Sequence, residues 1–293
     1  MTDPMTDTDA AAERPALALA RVESDGDVLW AVRRGEEYSP LGMTLAELLR
    51  LPADEARAAV ERAEGAGIRP SRVLAPIEPQ QEVWAAGVTY LRSRDGRMEE
   101  ASDGTPYDRV YGAERPELFF KSTGARVVGD GEPVGKRADS TWDVPESELG
   151  IVLSASGRIF GYVAGNDSSS RSIEGENLLY LPQAKVFTAS CALGPEIVPA
   201  WSVAPPFGIR LLIERDGAPV YDERTSTDQL ARRLEDLADW LFRGLDFPEG
   251  VVVLTGTGLV PPAEFTLHDG DEVTVDIEGV GRLTNPVVTV GRI

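Results

Sequence analysis

Three stretches of this chain share one pattern, in which two apolar runs rich in β-branched residues flank a short turn. The first turn is Asp25-Gly26, the second is the sequence ASG at 155–157, and the third is Asp216-Gly217. Asp-Gly between such runs is a strong signal for a β-hairpin, because both residues tolerate the backbone conformation of a tight turn. Further apolar runs separated by Gly and Pro fill most of the C-terminal half. The chain is therefore predicted to be mainly β.

Helical signals are few. Thr44 can cap a short helix that Pro52 ends or kinks, and an Ala-rich helix follows it. Near the C-terminus, the stretch 226–244 has an apolar residue on one helical face at each turn and predicts one long helix, capped by Ser226 or Thr227. The apolar face comprises Leu230, Leu234, Leu237 and Leu241. The predicted fold class is α+β, dominated by strands.

A Pro-rich stretch, RPSRVLAPIEPQQ, divides the chain near residues 70–78. We therefore expect a flexible acidic tail at 1–13, a small N-terminal domain at 14–75 and a larger domain at 76–293 that carries the chemistry. The tail lacks the basic and apolar regions of a signal peptide.

The charge balance argues against one class of partner. The formal net charge is −20, whereas a surface that binds nucleic acid is basic. The single cysteine, Cys191, cannot form an internal disulfide, and from this we expect a reducing, cytoplasmic setting. No apolar run approaches the ~18 residues that span a membrane, so we expect no membrane partner.

Two glutamates lie two residues apart in a predicted strand. Alternate strand residues point to the same face, so Glu146 and Glu148 project together. If the next turn centres near Ala155-Ser156, Asp167 returns to roughly the level of Val144 to Glu146. Three buried carboxylates could not all ionise without a cation, and an all-oxygen set suits Mg²⁺ or Mn²⁺ better than Zn²⁺. On spacing alone, a solvated acidic edge remains the alternative.

An ordered series of motifs from about residue 80 to the C-terminus resembles the fumarylacetoacetate hydrolase family. The motifs are, in chain order, ELGIVL, GYVAGNDSSSR, QAKVFTASCALGP, LLIERDG, VLTGTGLVPP and GDEVTVDIEGVGRLTNPV. The resemblance implies a mixed β-sandwich or β-roll catalytic domain, a small α+β N-terminal domain and a divalent metal. It also implies that the ligands are Glu146, Glu148 and Asp167, the residues reached above from their spacing.

Hydrolases of this family carry a His on the segment after the first core strand, where with a Glu it activates water. Here that segment, WAAGVTYLRSRDGRMEEAS, has no His. The chain is instead similar to the 2-keto-3-deoxy-pentonate dehydratase branch, through GVTYLRSRDGR, RVYGAERPELFFKSTGARVVG, STWDVPESELG and NDSSSRSIEGENLLYLPQAKVF. That branch implies dehydration of 2-keto-3-deoxy-D-arabinonate, the same compound as 2-keto-3-deoxy-D-xylonate, to 2,5-dioxopentanoate in non-phosphorylating pentose oxidation. It also implies a homo-oligomer.

Dehydration of a 2-keto-3-deoxy acid needs a base near C3 and an acid near the C4 oxygen. Lys185 is one of only three lysines in an Arg-rich chain, and a Lys can lose its proton where an Arg cannot. The resemblance places Lys185 at the metal site and supports Glu117 as its acid–base partner. The alternatives are a plain salt bridge for Lys185 and a surface position for Glu117.

The remaining candidates are substrate-binding residues. The branch resemblance suggests that Thr257, in a Gly-flanked turn, contacts the substrate carboxylate. Lys121 either anchors substrate or pairs with the carboxylates. The side chains that follow Asp167 directly, Ser169 and Arg171, could bond substrate oxygens.

Two other functions stay open at this stage. One is a hydrolase or decarboxylase of acylpyruvates or related diketo acids, which the missing His disfavours. The other is a non-catalytic binding member of the fold, which the retained carboxylates and Lys185 disfavour. The chain's single histidine, His268, lies in a turn before a late strand and is expected to be structural or simply exposed.

Overall fold

The computed structural model describes residues 14–65, 67–91 and 105–292 of the chain. The predicted tail and most of the His-free segment lie outside these residues. The helices are α1 (Leu45–Arg50), α2 (Ala53–Arg62), α3 (Thr105–Gly112), α4 (Arg171–Glu176), α5 (Leu181–Lys185) and α6 (Leu234–Phe242). The strands are β1 (Leu17–Ser24), β2 (Asp27–Arg34), β3 (Glu37–Pro40), β4 (Arg72–Leu74), β5 (Glu82–Gly87), β6 (Glu117–Thr123), β7 (Val134–Arg137), β8 (Asp143–Val144), β9 (Ser147–Leu153), β10 (Ile159–Asp167), β11 (Ser169–Ser170), β12 (Cys191–Pro199), β13 (Gly208–Arg215), β14 (Ala218–Ser226), β15 (Val251–Leu254), β16 (Glu272–Ile277) and β17 (Gly281–Val290).

Two large mixed sheets form the body of the protein. The ten-stranded sheet has the order β3-β2-β1-β12-β10-β9-β15-β5-β6, with β4 paired to β1, and the five-stranded sheet has the order β14-β13-β16-β17-β7. Most neighbours are antiparallel, but β15 pairs with β5 and β17 with β7 in parallel. The predicted α+β class, mainly β with a sandwich of mixed sheets, is confirmed.

The three hairpins predicted from the turns are present. Ser24 pairs with Asp27, Leu153 with Ile159, and Arg215 with Ala218. In both Asp-Gly turns the two central residues have positive φ, which matches the twist of the flanking strands. Local turn chemistry therefore fixes the register of these strands.

The ten-stranded sheet is covered on both faces, which explains why all seven residues of β9 are buried. One face of the ten-stranded sheet packs on the five-stranded sheet through residues such as Ile151 and Val275. Its other face packs on α1 and α2 through residues such as Val152 and Leu48. Burial on both faces gives β9 a rigid position, and the candidate site lies at its start.

The N-terminal strands continue the same sheet. Leu19 of β1 pairs with Ile197 of β12, and the guanidinium of Arg33 forms a buried ion pair with Glu196. Thr44 caps α1 as expected, in a reciprocal capping box with Glu47. The division into domains at 14–75 and 76–293 stays a prediction.

The prediction of one long helix from residue 226 is wrong for its N-terminal part. β14 runs as far as Ser226, which pairs with Gly208, and a 3₁₀ turn follows it. Leu230 forms an isolated bridge with Tyr90, and α6 begins only at Leu234. Strand pairing thus overrides the helical periodicity in this stretch. The remaining predicted apolar positions, Leu234, Leu237 and Leu241, are buried on α6.

No helix in the described ranges combines the length and apolar character needed to cross a membrane.

Candidate metal and substrate site

The β9–β10 hairpin brings three acidic side chains together. Glu146 directly precedes β9, Glu148 lies within it, and Asp167 ends β10. The Asp167 amide donates to the Glu146 carbonyl at 3.0 Å, so the register expected from the sequence is confirmed. One carboxylate oxygen from each residue lies within 4.8 Å of the other two. All three side chains are buried, which excludes the alternative of a solvated acidic edge.

Two buried lysines approach this carboxylate cluster. The Lys185 ammonium donates to Glu146 Oε1 at 2.6 Å, to Asp167 Oδ2 at 3.1 Å and to Ser169 Oγ at 2.7 Å. The Lys121 ammonium pairs with the other carboxylate oxygen of Asp167, and it donates to the backbone carbonyls of Ser168 and Lys185. These contacts compensate the negative charge of Glu146 and Asp167 away from water.

Arg171 and Ser169 support Glu146. The Arg171 guanidinium lies 3.1 Å from Glu146 Oε1 and 2.8 Å from Glu174. The Ser169 hydroxyl lies 3.0 Å from the same Glu146 oxygen and can donate to it. Both side chains therefore lie against the carboxylate cluster, and contact with substrate by either one stays a prediction.

Glu148 differs from the other two carboxylates. Burial, together with the charges of Asp167 and Glu146, raises its pKa well above the usual value. Its Oε2 accepts a 2.6 Å hydrogen bond from the Gly256 amide, and within the described ranges no Lys or Arg forms a salt bridge with it. A buried carboxylate that forms no salt bridge with a Lys or Arg among the described residues, in an all-oxygen cluster, fits a hard divalent cation. Glu146, Glu148 and Asp167 could supply its protein ligands.

A pocket opens above the cluster between β5, β6, α4 and the loop after β15. Its polar lining includes Glu117, Glu146, Glu174, Lys185 and Thr257. The rest of the wall comprises Ala86, Gly87, Val88, Phe119, Leu181 and Gly256. The structure therefore brings Lys185, Glu117 and Thr257 to one cavity. Lys121 is not among the residues that line this cavity, and it pairs with Asp167 instead.

Glu117 reaches this pocket because its neighbour has no side chain. Glu117 begins β6 and pairs with Gly87 of β5. A Cβ placed on Gly87 would overlap the Glu117 carboxylate. Glu117 is partly buried in this position, and its role as the acid–base partner of Lys185 stays a prediction.

Sequence reasoning missed Glu174. This buried carboxylate lies on α4, three residues after Arg171, and its ion pair with Arg171 joins two residues on one face of the helix. The signal was present in the spacing Arg171-x-x-Glu174 after Ser170, whose hydroxyl caps α4.

Comparison with known proteins identifies a family and two similar dehydratases. The model of the fumarylacetoacetate (FAA) hydrolase C-terminal family matches residues 83–288. A probable 2-keto-3-deoxyxylonate dehydratase of Haloferax volcanii is 50% identical over 217 residues, which are 73% of this chain and 74% of the relative. A 2-dehydro-3-deoxy-D-arabinonate dehydratase of Saccharolobus solfataricus is 40% identical over 222 residues, 74% of each chain.

A solved structure extends the similarity to the fold. It is a 2-keto-3-deoxy-D-arabinonate dehydratase complexed with magnesium and 2,5-dioxopentanoate. The TM-score is 0.81 at 31% identity, with 94% of this chain and 99% of that chain covered.

Proposed function

The chain belongs to the fumarylacetoacetate hydrolase family, and we propose that it dehydrates 2-keto-3-deoxy-D-arabinonate to 2,5-dioxopentanoate and water. The observation that carries the proposal is a buried carboxylate cluster of which one member, Glu146, lines a pocket together with Lys185 and Glu117. The similarity to two dehydratases of such acids, one of them 50% identical, supports the same substrate class. The enzyme class is a hydro-lyase.

The cofactor that fits is Mg²⁺, or Mn²⁺, held by Glu146, Glu148 and Asp167. When bound, such a cation polarises the 2-keto group of the substrate and so makes the C3 protons more acidic. The structural relative complexed with magnesium and 2,5-dioxopentanoate supports this choice.

The residues of the chain then move protons. The Lys185 side-chain nitrogen adjoins two of the carboxylates; as the neutral amine it accepts the C3 proton, or as the ammonium it stabilises the negative charge that loss of this proton creates. Glu117 lines the same pocket and can protonate the departing C4 hydroxyl, which leaves as water. Loss of a C5 proton and tautomerisation then place the aldehyde at C5. The overall change is loss of one water, with no external oxidant or reductant.

Substrate orientation requires further polar groups. Thr257 lies in the pocket wall and is proposed to contact the substrate carboxylate, next to the Gly256 amide that bonds Glu148. Glu174 lies in the same wall and suits the hydroxyl groups of a sugar acid. We also propose a homo-oligomer in a reducing cytoplasm.

A substrate panel separates this proposal from its rivals. The Mg²⁺-loaded protein is given 2-keto-3-deoxy-D-arabinonate with a coupled semialdehyde dehydrogenase and NAD(P)⁺, and an acylpyruvate in parallel. We expect turnover of the sugar acid alone. Turnover of the acylpyruvate alone would indicate a hydrolase or decarboxylase. Absence of turnover of either compound would favour a binding protein.

His268 provides the first mutational test. It is exposed, and its backbone amide donates to Asp271 in a turn before β16. We expect His268→Ala to change kcat/KM by less than about threefold, because a bystander contributes under ~0.7 kcal/mol. Initial rates of the coupled assay check this. A large loss with an unchanged melting temperature would mean that the active site lies elsewhere.

Glu117 is tested through its glycine neighbour as well as directly. We expect Glu117→Gln to lower kcat by about 100-fold or more, the usual range for a general acid or base. Gly87→Ala should also lower kcat, because the new methyl group displaces the Glu117 carboxylate. Gly244→Ala is the matched control, since a Cβ there meets open space. Wild-type kcat in both Glu117→Gln and Gly87→Ala would exclude Glu117 from the chemistry.

A further inference from the structure

A single peptide group connects a buried threonine to Glu148. The Thr89 hydroxyl donates to the Thr255 carbonyl at 2.7 Å. The other side of that peptide group, the Gly256 amide, donates to Glu148 Oε2 at 2.6 Å. The two hydrogen bonds therefore run in series from Thr89, through the 255–256 peptide, to one of the three clustered carboxylates.

The backbone of this loop permits the arrangement only with glycine at 256. Gly256 has a φ of +89°, in the left-handed region that side chains disfavour. A Cβ there would also overlap the Thr89 hydroxyl. Thr255 is held from its other side, because both its amide and its hydroxyl donate to the Leu149 carbonyl, at 3.0 and 2.9 Å.

Thr89 is itself fixed in place. Its backbone carbonyl accepts from the Ala231 amide at 2.9 Å, and its side chain is fully buried, as are those of Thr255 and Thr257. In such a dry environment, hydrogen bonds in series polarise one another, and the bond that ends on a carboxylate is the stronger kind. Removal of the Thr89 hydroxyl would leave the Thr255 carbonyl without this buried donor and so weaken the hold on the 255–256 peptide that bonds Glu148.

We propose that Thr89 is a positioning residue for the metal site. It acts through the 255–256 peptide to hold the Glu148 carboxylate in the orientation that a bound cation requires. The inference rests on the proposed metal site at Glu148, and it is independent of the substrate on which the protein acts. Hydrogen-bonding partners of metal ligands typically change metal affinity by about 10- to 100-fold when they are removed.

The test is the affinity of the full-length protein for Mn²⁺ and Mg²⁺, measured by calorimetry without substrate. We expect Thr89→Val to weaken binding about 10- to 100-fold. Thr89→Ser, which keeps the donor, should stay within about threefold of the wild type, a difference below ~0.7 kcal/mol. Thr89→Ala removes the same donor without adding a methyl group. It gives a second measurement of metal affinity if the valine variant does not fold.

Thr227→Val is the matched control for loss of a buried threonine hydroxyl. Its Oγ1 accepts from the Phe207 amide at 2.8 Å, away from the pocket, so its loss should lower the melting temperature and leave metal affinity unchanged. Wild-type metal affinity in a folded Thr89→Val or Thr89→Ala variant would overturn the proposal. Absence of metal binding in the wild type would overturn it as well. Absence of dehydratase activity with the expected loss of metal affinity would overturn only the proposed function.

Discussion

We expect Lys185→Arg to lower kcat by about 100- to 10,000-fold, the range that general acid–base groups contribute. The variant keeps the positive charge, but an Arg stays protonated with a pKa above ~12 and cannot accept a proton. Single-turnover rates with the sugar acid measure the loss.

Lys185→Met separates proton transfer from charge balance. If Lys185 transfers a proton, the Arg and Met variants should be similarly slow, with metal affinity largely kept in the Arg variant. If Lys185 only balances Glu146 and Asp167, the Arg variant should keep much of its rate and the Met variant should be worse. Exchange of C3 protons for solvent deuterium at the wild-type rate in Lys185→Arg would move the role of C3 base to Glu117.

We expect a similarly large loss of activity when one of the carboxylates that would bind the metal is neutralised. We expect Glu146→Gln or Asp167→Asn to lower activity at least ~100-fold, because each keeps the shape of the side chain and removes the charge that would bind the cation. Calorimetric Mg²⁺ affinity should fall in parallel. EDTA should abolish the activity of the wild type, and added Mg²⁺ or Mn²⁺ should restore that activity.

The matched control neutralises a buried, ion-paired carboxylate elsewhere. Asp276 on β16 pairs with Arg282 at 2.7 Å and is 8% exposed. Asp276→Asn should lower the melting temperature and leave Mg²⁺ affinity unchanged. Full activity in metal-stripped wild-type protein would refute the role of the cluster.

The parts of the fold that the sequence predicts are those that depend on neighbouring residues. Asp25-Gly26 and Asp216-Gly217 specify their turns through backbone preferences, so the hairpins follow. The period of two along a strand places Glu146 and Glu148 on one face, and the hairpin register brings Asp167 beside them. These contacts need no knowledge of the rest of the molecule.

The parts that escape prediction depend on distant partners. The stretch from Ser226 has a helical pattern, but pairing with Gly208 extends β14 through it, and Leu230 meets Tyr90 across the fold. The burial of Glu117 depends on its pairing with Gly87, thirty positions earlier in the chain. No local pattern shows that the Gly256 amide will bond Glu148.

The most direct test of the proposed dehydration is identification by NMR of the product made from uniformly ¹³C-labelled 2-keto-3-deoxy-D-arabinonate. With Mg²⁺ present, we expect complete conversion to 2,5-dioxopentanoate with its five-carbon chain intact, arrest by EDTA and recovery when Mg²⁺ is restored. Labelled carbon dioxide, two- and three-carbon fragments, or equal turnover by the metal-stripped protein would contradict it.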